Sequence, residues 1–200
     1  MSYNLKTAYN ITVYKKFDFM KKVALFLAKG FEEIEALGTV DILRRAQIDV
    51  VTVSITDYNV VTGAHNIPVT ADKTFNDTDF TNFDMLILPG GMPGAKNLNE
   101  QEDLKNLILD FNSKGKLIAA ICAAPLVLGG LDLLDGKRAT CYPGFENELK
   151  GAIITGETIV VDGKITTGKG PGYVFDFGLR IVEQLLGLKA RREVQNGLLI

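Results

Sequence analysis

Three runs in this chain are apolar without a break: VALFLA at 23–28, MLIL at 85–88 and LIAAICAAP at 117–125. A strand with one face in water alternates polar and apolar residues, whereas an unbroken apolar run must be covered on both faces. Between these runs the spacing turns helical. Glu32 to Ala46 is predicted as a helix with Ala36, Leu37, Val40 and Leu43 on its inner face. Leu104, Leu107, Ile108 and Phe111 mark a second helix that ends at Gly115, and Pro171 opens a last long one with Val174, Phe177, Gly178, Ile181 and Leu185 inward. Val23 to Ala28, Val50 to Ile55 and Asp84 to Leu88 read as strands, the third stopped by Pro89-Gly90-Gly91. Thr158 to Asp162 and Lys164 to Thr167 flank Asp162-Gly163, a hairpin signal, and Val60 to Asp72 reads as a small hairpin or flap. Helices alternating with buried strands predict an α/β domain with a mostly parallel sheet covered on both faces.

Composition narrows the function. The 200 residues are 46% hydrophobic and 23% charged, enough for one domain with a large core. A net charge of -2 argues against nucleic acid or an acidic membrane surface as partner. No segment is apolar enough over a sufficient length to span a bilayer. Cys122 and Cys141 have neither CxxC spacing nor a disulfide framework around them, so a reducing cytoplasm is the expected location. With His65 as the one histidine, no His/Cys cluster of zinc-site spacing is expected, and neither a metal nor a cofactor is called for. Residues 1–19 lack a signal-peptide core, and a second methionine, Met20, directly precedes the first strong strand. The domain is therefore expected to cover 20–200, with 1–19 as an extension outside its core.

The run ending LIAAICAAP puts a single thiol, Cys122, where a buried strand gives way to an apolar segment of helical length, Leu126 to Leu134. A strand, a sharp turn and a helix make the layout of a nucleophile elbow, with cysteine in place of serine. A thiol at a helix N-terminus is expected to have a lowered pKa. The plainer reading is a buried structural cysteine, and these residues alone leave both open. In doubly wound sheets reactive groups gather at the carboxyl ends of the strands. Two more such ends carry candidates. KGFEEIE places Glu32, Glu33 and Glu35 at a helix start, where carboxylates also simply complement the dipole. LPGGMPG, 88–94, offers glycines whose N–H groups suit an oxyanion, without the GxGxxG spacing of a dinucleotide loop. Cys141 reads as a core residue in a short strand, His65 as a solvated loop residue, and Arg44 and Arg45 as cations at a helix end.

AKGFEEIEALGTVDILRRA, LILPGG, AAICAAP, GKRATCYPGFE and GKGPGYVFDFGLRIVE, in this order and spacing, resemble the ThiJ/PfpI superfamily, closest to the branch that contains the parkinsonism-associated deglycase. The resemblance covers nearly everything from Met20 to about Leu199. It implies a flavodoxin-like three-layer sandwich, a homodimer, and a reactive Cys122 contacted by Glu35. It also places the family's oxyanion-type amides on Gly91 and Ala123, and Arg45 near the dimer interface. Two departures stand out. Ala123, Ala124 and Pro125 follow the cysteine where protease-like relatives carry histidine or glycine patterns, so a protease is not expected. Tyr142 occupies the position before proline where some relatives have histidine.

Without a histidine partner, either Glu35 or the helix field must serve as base, and a carboxyl desolvated beside the thiol is expected to have a raised pKa. Such a pair suits a glutathione-independent glyoxalase or deglycase, a lyase or hydrolase acting on methylglyoxal or glycated amines and thiols through a hemithioacetal. The alternative is a peroxide-responsive sensor or redox-regulated chaperone without turnover.

Overall fold

The computed structural model describes residues 20–200, so the expected extension at 1–19 lies outside the described residues. In chain order the elements are β1 (Lys22–Leu27), α1 (Glu33–Arg45), β2 (Asp49–Ser54), β3 (Val60–Thr62), β4 (Pro68–Thr70), β5 (Lys73–Thr74), β6 (Met85–Leu88), α2 (Gly94–Glu100), α3 (Glu102–Ser113), β7 (Leu117–Ile121), α4 (Pro125–Gly130), β8 (Arg138–Ala139), β9 (Ile153–Ile154), β10 (Ile159–Asp162), β11 (Ile165–Gly168), α5 (Val174–Leu186) and α6 (Leu188–Leu198). The main sheet runs β10-β11-β7-β6-β1-β2-β5. Every neighbouring pair in it is parallel except β10–β11, the Asp162-Gly163 hairpin. This is the flavodoxin-like α/β sandwich.

The unbroken apolar runs sit at its centre because side chains of a strand alternate faces. In β1, Val23, Leu25 and Leu27 enter one core with Ile42, Leu43, Phe177 and Ile181 of α1 and α5. Ala24 and Phe26 enter the other, with Leu98, Leu104, Ile108 and Phe111 of α2 and α3. Both faces of the strand are dry, as the lack of alternation required.

Several local expectations change. The apolar segment after Cys122 forms only the six-residue α4, ending in Gly129-Gly130, and Leu131 to Leu134 continue as turns. The PGG loop is followed by a helix of its own, α2, which the glycine-rich spacing hid. The last helix breaks at Gly187, φ 86°, into α5 and α6. Leu37, expected inward, is on the outer face of α1. Cys141 lies just beyond a two-residue strand and is buried in the second core. The hairpin at 60–70 forms as β3–β4, separate from the main sheet.

The α1–α5 contact leaves no room at Gly178. A Cβ there would stand 2.8 Å from Ile42 Cδ1 and 3.0 Å from its Cγ2. Gly178→Ala is expected to destabilise the fold by about 1–3 kcal/mol through overpacking, read from the urea midpoint at unchanged slope. An unchanged midpoint would show that the two helices slide apart freely.

Candidate functional site

β1, β6 and β7 lie side by side and end at the same edge of the sheet. The chain passes from β1 to β2 on one side and to β6 on the other, so a switch point lies between β1 and β6, where such folds open a crevice. The loops leaving these three strands carry Glu35, Gly90-Gly91 and Cys122.

Glu35 is placed by the start of α1. Glu32 is the N-cap, with extended backbone at φ -82°, ψ 120°, and its Oε2 accepts the Glu35 N–H at 2.7 Å. That directs the Glu35 side chain inward, where it is 0% exposed. Its Oε2 accepts the Gly90 N–H at 2.8 Å, and Oε1 is buried without a nitrogen or oxygen partner. Gly90 has to be glycine. A Cβ would sit 2.7 Å from Cys122 Cβ and 2.8 Å from Glu35 Oε2, within the contact itself. Gly91, at φ +86°, completes a turn that β-carbons disfavour.

Cys122 occupies the corner after β7 with φ +64°, in the left-handed region. For a non-glycine residue this costs roughly 1–2 kcal/mol and persists only where neighbours hold it. Here the end of β11 and the segment after β8 do so: the Cys122 N–H donates to the Gly168 carbonyl at 2.9 Å, and its carbonyl accepts the Tyr142 N–H at 2.8 Å. The thiol is 8% exposed.

Burial raises the Glu35 carboxyl from its ordinary value to about 7, against the opposing hydrogen bonds from Cys122 and the Gly90 N–H. The thiol is pushed up to about 12, first by burial, then by the Glu35 charge and its hydrogen bond, with the Gly91 and Ala123 N–H groups pulling the other way. This corrects the expected depression of the thiol. A six-residue helix is a weak dipole, and a buried carboxylate outweighs it. The two groups titrate as a pair, holding two protons below about 7 and one between about 7 and 12. In that window the carboxyl is ionised and the thiol keeps its proton, so a thiolate forms by proton transfer to the Glu35 carboxylate.

The other candidates divide. Gly91 and Ala123 do present their amides to Cys122. Arg45 lies outside this cluster, exposed at the end of α1 with its Nε donating to Asp41 Oδ2 at 2.7 Å. Cys141 is a core thiol held up to about 11 by burial and by Glu146. His65 is not simply a solvated residue. Its backbone N–H and ring Nδ1 both reach Glu33, each at 2.8 Å, which clips the β3–β4 hairpin to the start of α1. Burial alone would raise Glu33, but these bonds outweigh it and keep its carboxyl below the ordinary range. The Glu33 hydrogen bond and charge raise His65. Glu32, Glu33 and His65 are the one group of three among the described residues whose donor atoms come within 4.8 Å of one another. Both Glu33 oxygens are already engaged by His65, so the trio serves as a clip. Nothing in the sequence spacing, 32 residues apart, foretold it.

Known proteins share this chain's sequence pattern and fold. The model of the DJ-1/PfpI family matches residues 21–184. Protein DJ-1 homolog B of Arabidopsis thaliana is 40% identical over 182 residues, covering 90% of this chain but only 42% of that protein. Protein dj-1beta of Drosophila melanogaster is 35% identical, over 90% of this chain and 97% of its own length. A crystal structure of a cysteine-to-alanine mutant of a DJ-1 superfamily protein from Salmonella typhimurium superposes with a TM-score of 0.86. It is 39% identical, over 90% of this chain and 98% of that one.

Because the folded state holds Glu35 at about 7 against an ordinary 4.5, folding binds extra protons between those values. Above pH 7 the ionised carboxyl costs the native state roughly 3 kcal/mol, and the cost vanishes as pH falls to about 4.5. Glu35→Gln is therefore expected to raise the thermal midpoint above wild type at pH 8 and to match it at pH 4.5. The same change removes a negative neighbour, so iodoacetamide should alkylate Cys122 several-fold faster at pH 8. Slower alkylation would mean that Glu35 supports the thiolate as a neutral donor.

Proposed function

This chain belongs to the DJ-1/PfpI family, and from that premise and its buried Cys122–Glu35 pair we propose a glutathione-independent glyoxalase or deglycase acting on methylglyoxal or glycated amines and thiols. The observation that carries the reading is a fully buried Glu35 carboxyl, held by the Gly90 N–H and hydrogen-bonded to the Cys122 thiol, with two backbone amides beside the sulfur. Proton transfer to Glu35 frees the thiolate, which attacks the aldehyde carbon to form a hemithioacetal. The new oxyanion takes hydrogen bonds from the Gly91 and Ala123 N–H groups. Glu35 hands the thiol's proton to that oxygen, and its carboxylate then removes the proton from the carbon and delivers it to the neighbouring one, giving a 2-hydroxyacyl thioester. Water cleaves the thioester to lactate and restores the thiol. Atoms and electrons balance with water as the sole co-reactant, and every step uses groups of this chain.

The second reading, a peroxide-responsive sensor or redox-regulated chaperone, draws on the buried, unpartnered Glu35 Oε1. As a carboxylic acid it would donate to an oxygen of a Cys122 sulfinate. One experiment separates the two. With methylglyoxal and no added thiol, lactate is expected from wild type, with kcat/KM rising through about pH 7 as the pair loses its first proton. Cys122→Ser should make none, and Glu35→Gln should lose turnover while Cys122 still oxidises with peroxide. No lactate from wild type, together with a stable sulfinate by mass spectrometry, would favour the sensor.

We also propose a homodimer in the cytoplasm, with no nucleic acid or membrane partner. No helix of the described residues is long and apolar enough to cross a membrane. On the outer face of α1, Ile34 is 58% exposed and Leu37 follows one turn later, with Asp41 and Arg45 continuing the stripe. The hairpin docks beside this face through Gly30 N–H to Thr62 carbonyl and Ala64 N–H to Phe31 carbonyl, both 2.8 Å, and adds exposed Val60 and Ile67. Large apolar side chains left exposed on both elements suit an association surface. Ile34→Glu with Leu37→Glu should halve the mass seen by light scattering and leave the circular dichroism unchanged. A wild-type monomer at micromolar concentration would rule out this interface.

A further inference from the structure

Tyr142 is the residue beside the nucleophile that the proposed chemistry does not use. Its N–H donates to the Cys122 carbonyl at 2.8 Å, so its backbone lies against the elbow. The side chain nevertheless stays 46% exposed, although a tyrosine at a buried corner ordinarily folds its ring into the core. The ring instead flanks Gly170. That glycine has φ 166°, ordinary extended backbone open to any residue, so its conformation does not require glycine. A Cβ there would stand 3.2 Å from Tyr142 Cδ2 and 3.7 Å from Cε2, close enough to push the exposed ring by a few tenths of an ångström. Gly170 follows Gly168, whose carbonyl accepts the Cys122 N–H. The two segments that clamp the Cys122 backbone thus meet through this ring, which sets one edge against Gly170 and leaves nearly half of the residue open to solvent.

We propose that the Tyr142 ring is a side wall of the substrate site and a specificity-determining residue that favours α-oxoaldehydes carrying a planar aromatic group over methylglyoxal. The inference rests on the glyoxalase reading of Cys122 and deepens it. Offset or edge contact between two aromatic rings adds to the area they bury, whereas a methyl group offers the wall little. The phenol hydroxyl is not needed for this, so the ring and the hydroxyl are separable.

The test compares phenylglyoxal, followed as mandelate, with methylglyoxal, followed as lactate. Wild type is expected to show the higher kcat/KM for phenylglyoxal. Tyr142→Ala should lower the phenylglyoxal-to-methylglyoxal ratio about fivefold. Tyr142→Phe should keep the ratio, and Gly170→Ala, which pushes on the ring, should lower it part of the way. A parallel arm needs no turnover: the alkylation rate of Cys122 by phenacyl bromide relative to iodoacetamide should fall by a similar factor in Tyr142→Ala and hold in Tyr142→Phe. Absence of both hydroxy acids with wild type would defeat the glyoxalase reading, and the alkylation arm would still decide the wall. An alkylation ratio unmoved by Tyr142→Ala would overturn the proposal, as would a ratio lost in Tyr142→Phe, which would assign the effect to the hydroxyl. Thermal midpoints of the three variants distinguish a lost wall from a loosened fold.

Discussion

The hydrogen bond from the Gly90 N–H to Glu35 Oε2 is the contact on which the rest of the site depends. It joins the loop after β6 to the helix after β1 across 55 residues of sequence, and it fixes a carboxyl with no water access beside the thiol. Around it the backbone is tied in the same direction. The Glu32 N–H donates to the Gly90 carbonyl at 2.9 Å, and the Gly94 N–H to the Gly30 carbonyl at 3.1 Å. Remove the glycine at 90 and a Cβ fills the space where carboxyl and cysteine meet. The sheet supplies the stage, and this bond sets the spacing of the reacting groups.

Burying that carboxyl also sets the electrostatics. In water a glutamate and a cysteine would ionise about four units apart, the carboxyl first. In this pocket both ionise late, because each charged form loses solvent and each negative charge opposes the other. The amides of Gly91 and Ala123 are the groups that favour negative charge on sulfur, and they are fixed by backbone. The cost of holding Cys122 at φ +64° and Glu35 without water is borne by the two apolar cores, which surround β6 and all but the first residue of β1 and of β7.

The hairpin shows how one small element joins several parts of the molecule. Glu33, next to the cap and two residues before Glu35, turns outward to clip His65, and the same hairpin presents Val60 and Ile67 beside the bare face of α1.

Much of this was legible in the residues. Runs without polar alternation at 23–28, 85–88 and 117–121 have one stable placement, the middle of a parallel sheet, and with it the strand ends where Glu35, Gly91 and Cys122 lie are already implied. Asp162-Gly163 specified its hairpin by local turn chemistry alone. What local pattern did not contain was anything dependent on neighbours distant in sequence. The pKa of Cys122 went up first because the packed core strips water from the thiol and then because a carboxylate from 87 positions earlier lies beside it, and the Glu33–His65 clip bridges 32 residues. Leu37 faces outward although it shares the helical spacing of the core residues, because α5 covers only the stripe of Ala36, Val40 and Leu43. Propensity and periodicity act over a turn or two of chain. Burial, charge coupling and the choice of which apolar residues stay bare are properties of the packed whole, and only the tertiary structure decided them.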